Sequence, residues 1–141
     1  MMTYRPFKIL SPLHKSLRQI DTYLEKRFRP LGFSVGESHL LGYLLNNSPS
    51  PLSKLIVVFG LKNSTLTSII TRLEEQQLLK RKINPSDKRS FEILLTTRGK
   101  VVARQLYEIT RMLEDHILER ISEDDLLHLQ KIATEIESAC I

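Results

Sequence analysis

A chain of 141 residues with 41% apolar side chains has room for one compact domain with its own core, residues 1–141, and needs no second. Its longest uncharged apolar stretch, residues 55–61, is too short to cross a bilayer, and Arg5, Pro6 and Lys8 interrupt the N-terminus where a secretory signal needs an apolar run. The net charge is +5, and the single cysteine, Cys140, cannot form an internal disulfide, so the expected setting is the cytoplasm.

The first predicted element is a helix over 12–28. Ser11-Pro12 supplies an N-cap and an N1 proline, Leu13, Leu17, Ile20, Leu24 and Phe28 form one apolar stripe, and Pro30 and Gly32 stop it. A second helix fits 36–46, with Leu40, Leu41, Leu44 and Leu45 inward, and 46–51 reads as a loop. Ser50-Pro51 then opens a two-turn helix over 52–59 that ends at Gly60; the β-branched run inside it would suit a strand, but the cap and the glycine favour a helix. Asn63 caps a longer helix over 64–76. Two basic alternating segments, 79–83 and 91–96, flank the turn Asn84-Pro85-Ser86-Asp87-Lys88 and predict a β-hairpin. A long helix starts near Thr97 and carries Val102, Leu106, Ile109, Leu113 and Ile117. The capping box of Ser122 with Asp125 opens a last helix, with Leu126, Leu129, Ile132, Ala133 and Ile136 as its stripe. The fold class is mainly α with a small β-hairpin.

Charge along the chain is polarised. Residues 1–53 carry +4, residues 54–104 carry +7 and residues 105–141 carry −6. A basic working face opposed by an acidic segment suits nucleic acid, because each phosphate neutralised releases condensed counterions. Charge alone fits an ordinary solvated surface equally well.

The helices over 52–59 and 64–76, joined by Gly60-Leu61-Lys62, have the arrangement of a helix-turn-helix. Leu66, Ile69, Ile70 and Leu73 share the inward face of the second helix. The opposite face presents Ser64, Ser68 and Thr71, with Thr65, Thr67 and Arg72 on its flanks and Asn63 at its start. Small hydroxyl side chains let a helix lie deep in the major groove and hydrogen-bond base edges or phosphates, whereas a merely solvated face more often carries Glu and Lys. The hairpin adds Lys80, Arg81 and Lys82 on its first strand and Lys88 and Arg89 at its tip. Such a wing can place an arginine in a narrow minor groove. Asp87 reads as a structural acceptor in the turn, or as a partner that orients a nearby arginine.

The run from Asn63 to Gly99 resembles the MarR family of bacterial regulators. The resemblance is carried by Thr71-Arg72-Leu73, Leu78-Leu79-Lys80-Arg81, then Pro85, Asp87 and Arg89 at the wing, and Leu95-Thr96 with Gly99. Gln77 departs from the family pattern, which commonly has a glycine where the recognition helix ends. The resemblance implies a winged helix-turn-helix lobe over 36–97 and a homodimer built from helices in 8–30 and 98–141. It implies a sequence-specific regulator of transcription, expected to be a repressor, that grips a pseudo-palindromic double-stranded operator. Apolar stripes that one small lobe cannot cover argue for the same dimer. The resemblance also implies a small aromatic or anionic effector in a cleft between lobes, for which Arg18, Tyr23, His39 and Tyr43 are the candidates.

Other chemistries find little support. The sequence has no Gly-rich phosphate loop, nucleophile elbow or HExxH, so no enzyme and no cofactor is expected. His14, His39, His116 and His128 form no i, i+4 pair and read as surface or interface residues, with no metal expected. Cys140 has no basic neighbour within eight positions and reads as an inert thiol. The alternative from a different class is a winged-helix protein–protein interaction module that does not bind DNA.

Overall fold

A computed structural model describes residues 7–83, 86 and 91–141. Its elements are α1 (Leu10–Phe28), a 3-10 turn (Arg29–Leu31), α2 (Val35–Asn47), β1 (Ser50–Pro51), α3 (Leu52–Phe59), α4 (Asn63–Glu75), β2 (Leu79–Ile83), β3 (Phe91–Leu95), α5 (Thr97–Leu118) and α6 (Glu123–Ala139). The strands form one antiparallel sheet in the order β1-β3-β2. This is the mainly helical, winged architecture expected, with one element added.

That element is β1. Ser50 pairs with Ile93 and Pro51 with Glu92, so the hairpin gains a third, two-residue strand. Ser50 therefore does not cap α3. It sits in the sheet, its hydroxyl donates to the carbonyl of Asn47, and Pro51 takes the N-cap position instead. Three other helix starts shift for local reasons. α1 begins at Leu10 rather than Pro12, with Ser11 Oγ accepting from the N–H of Phe7. α2 begins at Val35 because Ser34 and Glu37 form a reciprocal capping box: Ser34 Oγ accepts from the Glu37 N–H at 3.1 Å, and Glu37 Oε1 from the Ser34 N–H at 2.9 Å. Asn63 is the first residue inside α4 rather than its cap; Lys62 holds the N-cap position, with no side-chain cap bond.

The chain divides into two compact units, residues 1–109 and 110–141, with α5 passing from one into the other. In the first, Leu24 and Phe28 of α1, Leu40, Leu41 and Leu44 of α2, Leu55 of α3, and Leu66, Ile70 and Leu73 of α4 are fully buried with Leu78, Leu79 and Ile93 of the sheet region and Ala103 and Leu106 of α5. Each large side chain removed from water in this way contributes about 1.5–3 kcal/mol, which fixes the inward face of α4 firmly. The N-terminal half of the α1 stripe does not join this core, since Leu17 and Ile20 are exposed.

In the second unit the capping box opening α6 forms as expected. Ser122 Oγ accepts from the Asp125 N–H, and Asp125 Oδ2 from the Ser122 N–H. α6 has no buried residue: Leu127 and Leu129 are 59% and 51% exposed, and Ile136 is exposed as well.

The end of α4 explains the departure at Gln77. Leu78 N–H donates to Leu73 O and Gln77 N–H to Glu74 O, a Schellman pattern whose C′ residue must be left-handed. Gln77 occupies it with φ 62°, a conformation that glycine adopts without a Cβ clash. Gln77→Gly is therefore expected to raise stability by about 0.5–1 kcal/mol, read as a higher denaturant midpoint with unchanged slope. A lower midpoint would mean that the glutamine side chain contributes more than its backbone conformation costs.

Candidate nucleic-acid interface

Gly60 terminates α3 in the left-handed region at φ 61°, its N–H bonded to Ile56 O at 2.9 Å, and turns the chain into α4 within three residues. Because Leu66, Ile70 and Leu73 point into the core, the opposite face of α4 is left to solvent. Asn63, Ser64, Thr67, Ser68, Thr71, Arg72 and Glu75 line one open, shallow depression along it. Six of the seven recognition-helix residues expected from sequence are thus gathered on one surface. Thr65 is exposed at its flank. Thr67 Oγ1 donates to Asn63 Oδ1 at 3.1 Å, which orders the first turn. Lys62 at the N-cap supplies no side-chain cap bond, so the positive end of the helix dipole lies at an exposed turn left without that cap.

Two arginines, Arg72 on this surface and Arg81 on β2, are held by α2 and α4 side chains. Arg72 Nε lies 3.3 Å from Glu37 Oε2; the arginine side chain is 64% exposed and the glutamate side chain 3%. Glu37 therefore joins the first turn of α2 to α4, through its capping oxygen on one side and an ion pair on the other. Sequence reasoning missed it, although Ser34-x-x-Glu37 carries the capping-box pattern. Arg81, on β2, is half-buried: Nη2 donates to Thr71 Oγ1, Nε is 3.4 Å from Glu74 Oε1, and the guanidinium stands 5.9 Å from the centre of the Phe91 ring. It braces the wing against the recognition helix, and it engages the hydroxyl of Thr71.

The remaining wing cations are placed differently. Lys80 and Lys82 are exposed, with Lys82 opposite Glu92 in the register. Asp87, Lys88 and Arg89, the tip residues singled out by sequence, lie outside the described residues.

The candidate effector residues fall on two helices. Arg18 and Tyr23 line a depression on α1 with Lys15, Gln19, Thr22, Lys26 and Arg27, where the Arg27 guanidinium stands 3.4 Å from the centre of the Tyr23 ring. Tyr43 on α2 meets Phe59 of α3 edge-on, with ring centres 5.5 Å apart. His39, also on α2, is half-buried; desolvation pushes its pKa below the usual 6.5, and the negative charge of Asp21 pulls it partly back. A depressed histidine favours the neutral fold, so its contribution to stability is complete above the unfolded pKa and is lost as pH falls through the folded one. His39→Gln should flatten the fall in stability as pH drops below the ordinary histidine value of 6.5, measured by denaturant titration; an unchanged fall would assign it elsewhere. Among the described residues no group of three or more His, Cys, Asp and Glu could hold a metal ion, and no helix is long and apolar enough to cross a membrane.

Residues 33–91 match the MarR family. The chain is 30% identical over 136 residues to the HTH-type transcriptional regulator PecS of Dickeya dadantii, covering 94% of this chain and 81% of PecS. Among solved structures it resembles Staphylococcus aureus MepR in its DNA-binding conformation, with a TM-score of 0.87, 18% identity, and coverage of 96% of this chain and 100% of that one. It also resembles the S. aureus MepR–DNA complex, with a TM-score of 0.82, 18% identity, and coverage of 94% and 98%.

Proposed function

The chain belongs to the MarR family of helix-turn-helix transcription regulators, and from that premise we propose that it is a repressor that grips a pseudo-palindromic operator as a homodimer. The observation that carries the reading is the α4 surface, a face of hydroxyl, amide and guanidinium groups with one carboxylate, Glu75, at its C-terminal end, on a helix anchored by Leu66, Ile70 and Leu73. Ser64 and Ser68 suit base edges, Arg72 suits a base edge or a phosphate, and the uncapped first turn at Asn63 suits a phosphate. Lys82, Lys88 and Arg89 supply charge from the wing. The +7 charge of residues 54–104 is the electrostatic footprint of such a face.

Exposed Leu17 and Ile20 on α1 and Leu127, Leu129 and Ile136 on α6 support dimerisation, because apolar side chains repeated along helix faces are stable in water when a second copy covers them. We propose that a small aromatic or anionic effector relieves repression. The cations and the Tyr23 ring gathered around Arg18 on α1 support an anionic ligand there, while His39 and Tyr43 would serve a site reaching α2. No enzymatic role is proposed.

Sequencing the genomic fragments that the protein captures tests the reading, which expects one motif with two-fold symmetry. Capture of no specific duplex would favour the protein-interaction alternative. Ser68→Ala should relax the captured motif at one position per half-site, by about 1–3 kcal/mol of discrimination. Thr71→Ala should relax it too, but with an added loss from the freed Arg81. Motifs unchanged in both variants would mean that this face reads no bases.

A further inference from the structure

The last turn of α4 and the first turn of α5 meet at one joint, and a single hydroxyl organises it. Thr96 Oγ1 donates to the carbonyl of Gln77 at 2.7 Å, lies 3.2 Å from the carbonyl of Leu78, and accepts from the N–H of Gly99 at 2.9 Å. The Thr96 backbone N–H donates to the same Leu78 carbonyl at 3.1 Å. Leu78 is itself tied to Leu73 of α4 through its N–H. Gly99 is buried in the first turn of α5, and a Cβ built there would stand 2.0 Å from Leu78 O, so only glycine permits this approach. The path from α4 to α5 thus runs through backbone groups and one short side chain, with no flexible link in it.

We propose that Thr96 and Gly99 are positioning residues that fix the angle between the recognition helix and α5, and so select the half-site separation that the dimer accepts. The inference rests on the dimeric, operator-binding reading above. The stretch of α5 that shares a compact unit with α4, residues 97–109, is about 20 Å long at 1.5 Å per residue. A tilt of about 10° at its base moves the end of that stretch by about 3.4 Å. Successive base pairs are also about 3.4 Å apart, so looseness of this size at Thr96 blurs spacing by about one base pair. Neither residue lines the α4 face, Gly99 is buried, and the Thr96 hydroxyl is engaged by Gln77, Leu78 and Gly99, so the joint acts through geometry rather than through contact with DNA.

The test is a set of duplexes carrying two half-sites at graded separations, titrated with wild type, Thr96→Val, Thr96→Ser and Gly99→Ala, each checked for dimerisation and melting temperature. Wild type should show one sharp optimum. Thr96→Val, which keeps shape but loses the hydroxyl, should bind about five- to tenfold more weakly at that optimum and show a flattened profile. Its affinity for non-specific duplex and the salt dependence of that affinity should match wild type. Thr96→Ser should restore the sharp profile, and Gly99→Ala, which forces the first turn of α5 away from Leu78, should shift the optimum. A folded Thr96→Val dimer with the wild-type profile, or one weakened equally at every spacing and on non-specific DNA, overturns the coupling. So does a folded Gly99→Ala dimer with an unmoved optimum, which decides the matter if Thr96→Val fails to fold. Wild type that binds no duplex at any spacing refutes the operator-binding reading itself.

Discussion

Removing residues 122–141 should convert the protein to a monomer or an aggregate and reduce operator affinity by about 10²–10⁴-fold. The magnitude follows from linkage, since each half-site alone offers one recognition helix and one wing, and a dimer makes the second engagement intramolecular. α6 is the element to remove because it contributes no buried residue, yet its start is fixed by the Ser122–Asp125 box and it carries a sustained apolar stripe. The proposed dimer would cover such a helix. Leu129→Glu, which leaves the capping box intact, should weaken dimerisation in the same direction by placing a charge in the apolar contact. Sedimentation and operator titration decide the matter. A truncated protein that remains a soluble dimer and binds normally would remove the terminal helices from the interface.

Arg81→Lys should lower DNA affinity nearly as far as Arg81→Ala, by about ten- to a hundredfold, although it keeps the positive charge. The reason is geometric. The guanidinium reaches Thr71 and Glu74 on α4 and lies beside the Phe91 ring, so it sets where the wing stands relative to the recognition helix. An ammonium has no planar fork to serve these partners together. Lys82→Ala removes a comparable charge from an exposed position and should cost less, with its loss concentrated in the salt-dependent part of binding. If Arg81→Lys binds as wild type while Lys82→Ala is crippled, the wing works by charge alone and Arg81 braces nothing.

What the sequence disclosed depended on how far apart the cooperating residues lie. The α4 face was legible because its hydroxyl and apolar residues repeat with the helical period inside one element, and the box at Ser122 because its partners are three residues apart. β1 was hidden because two residues, one a proline, have no periodicity; its pairing with Ile93 and Glu92 is made entirely by distant chain. The ion pair between Glu37 and Arg72 spans two helices and was equally invisible, although its local half, the capping box with Ser34, was there to be read. Arg81 looked like one basic residue among several because a cation's neighbours are not written beside it. The strained helix end at Gln77 was foreseeable, since a side chain stands where the family has glycine and the left-handed conformation is retained. The effector candidates were chosen for residue type on two helices, and the structure groups Arg18 with Tyr23 while turning Tyr43 toward Phe59.

Salt titration of duplex affinity tests the central claim most directly. The protein is mixed with a captured operator fragment and with an unrelated duplex of equal length, and affinity is measured across a range of salt. The account predicts linear plots of log K against log salt with slopes of about −0.9 per phosphate contact, so that six to ten contacts cost about 10³–10⁵ in affinity between 50 and 200 mM. Operator should stay tighter than unrelated duplex throughout, because base-edge contacts by the α4 face add to the shared charge effect. Binding that is absent at low salt, or that is equally tight for both duplexes at every salt concentration, would contradict the account.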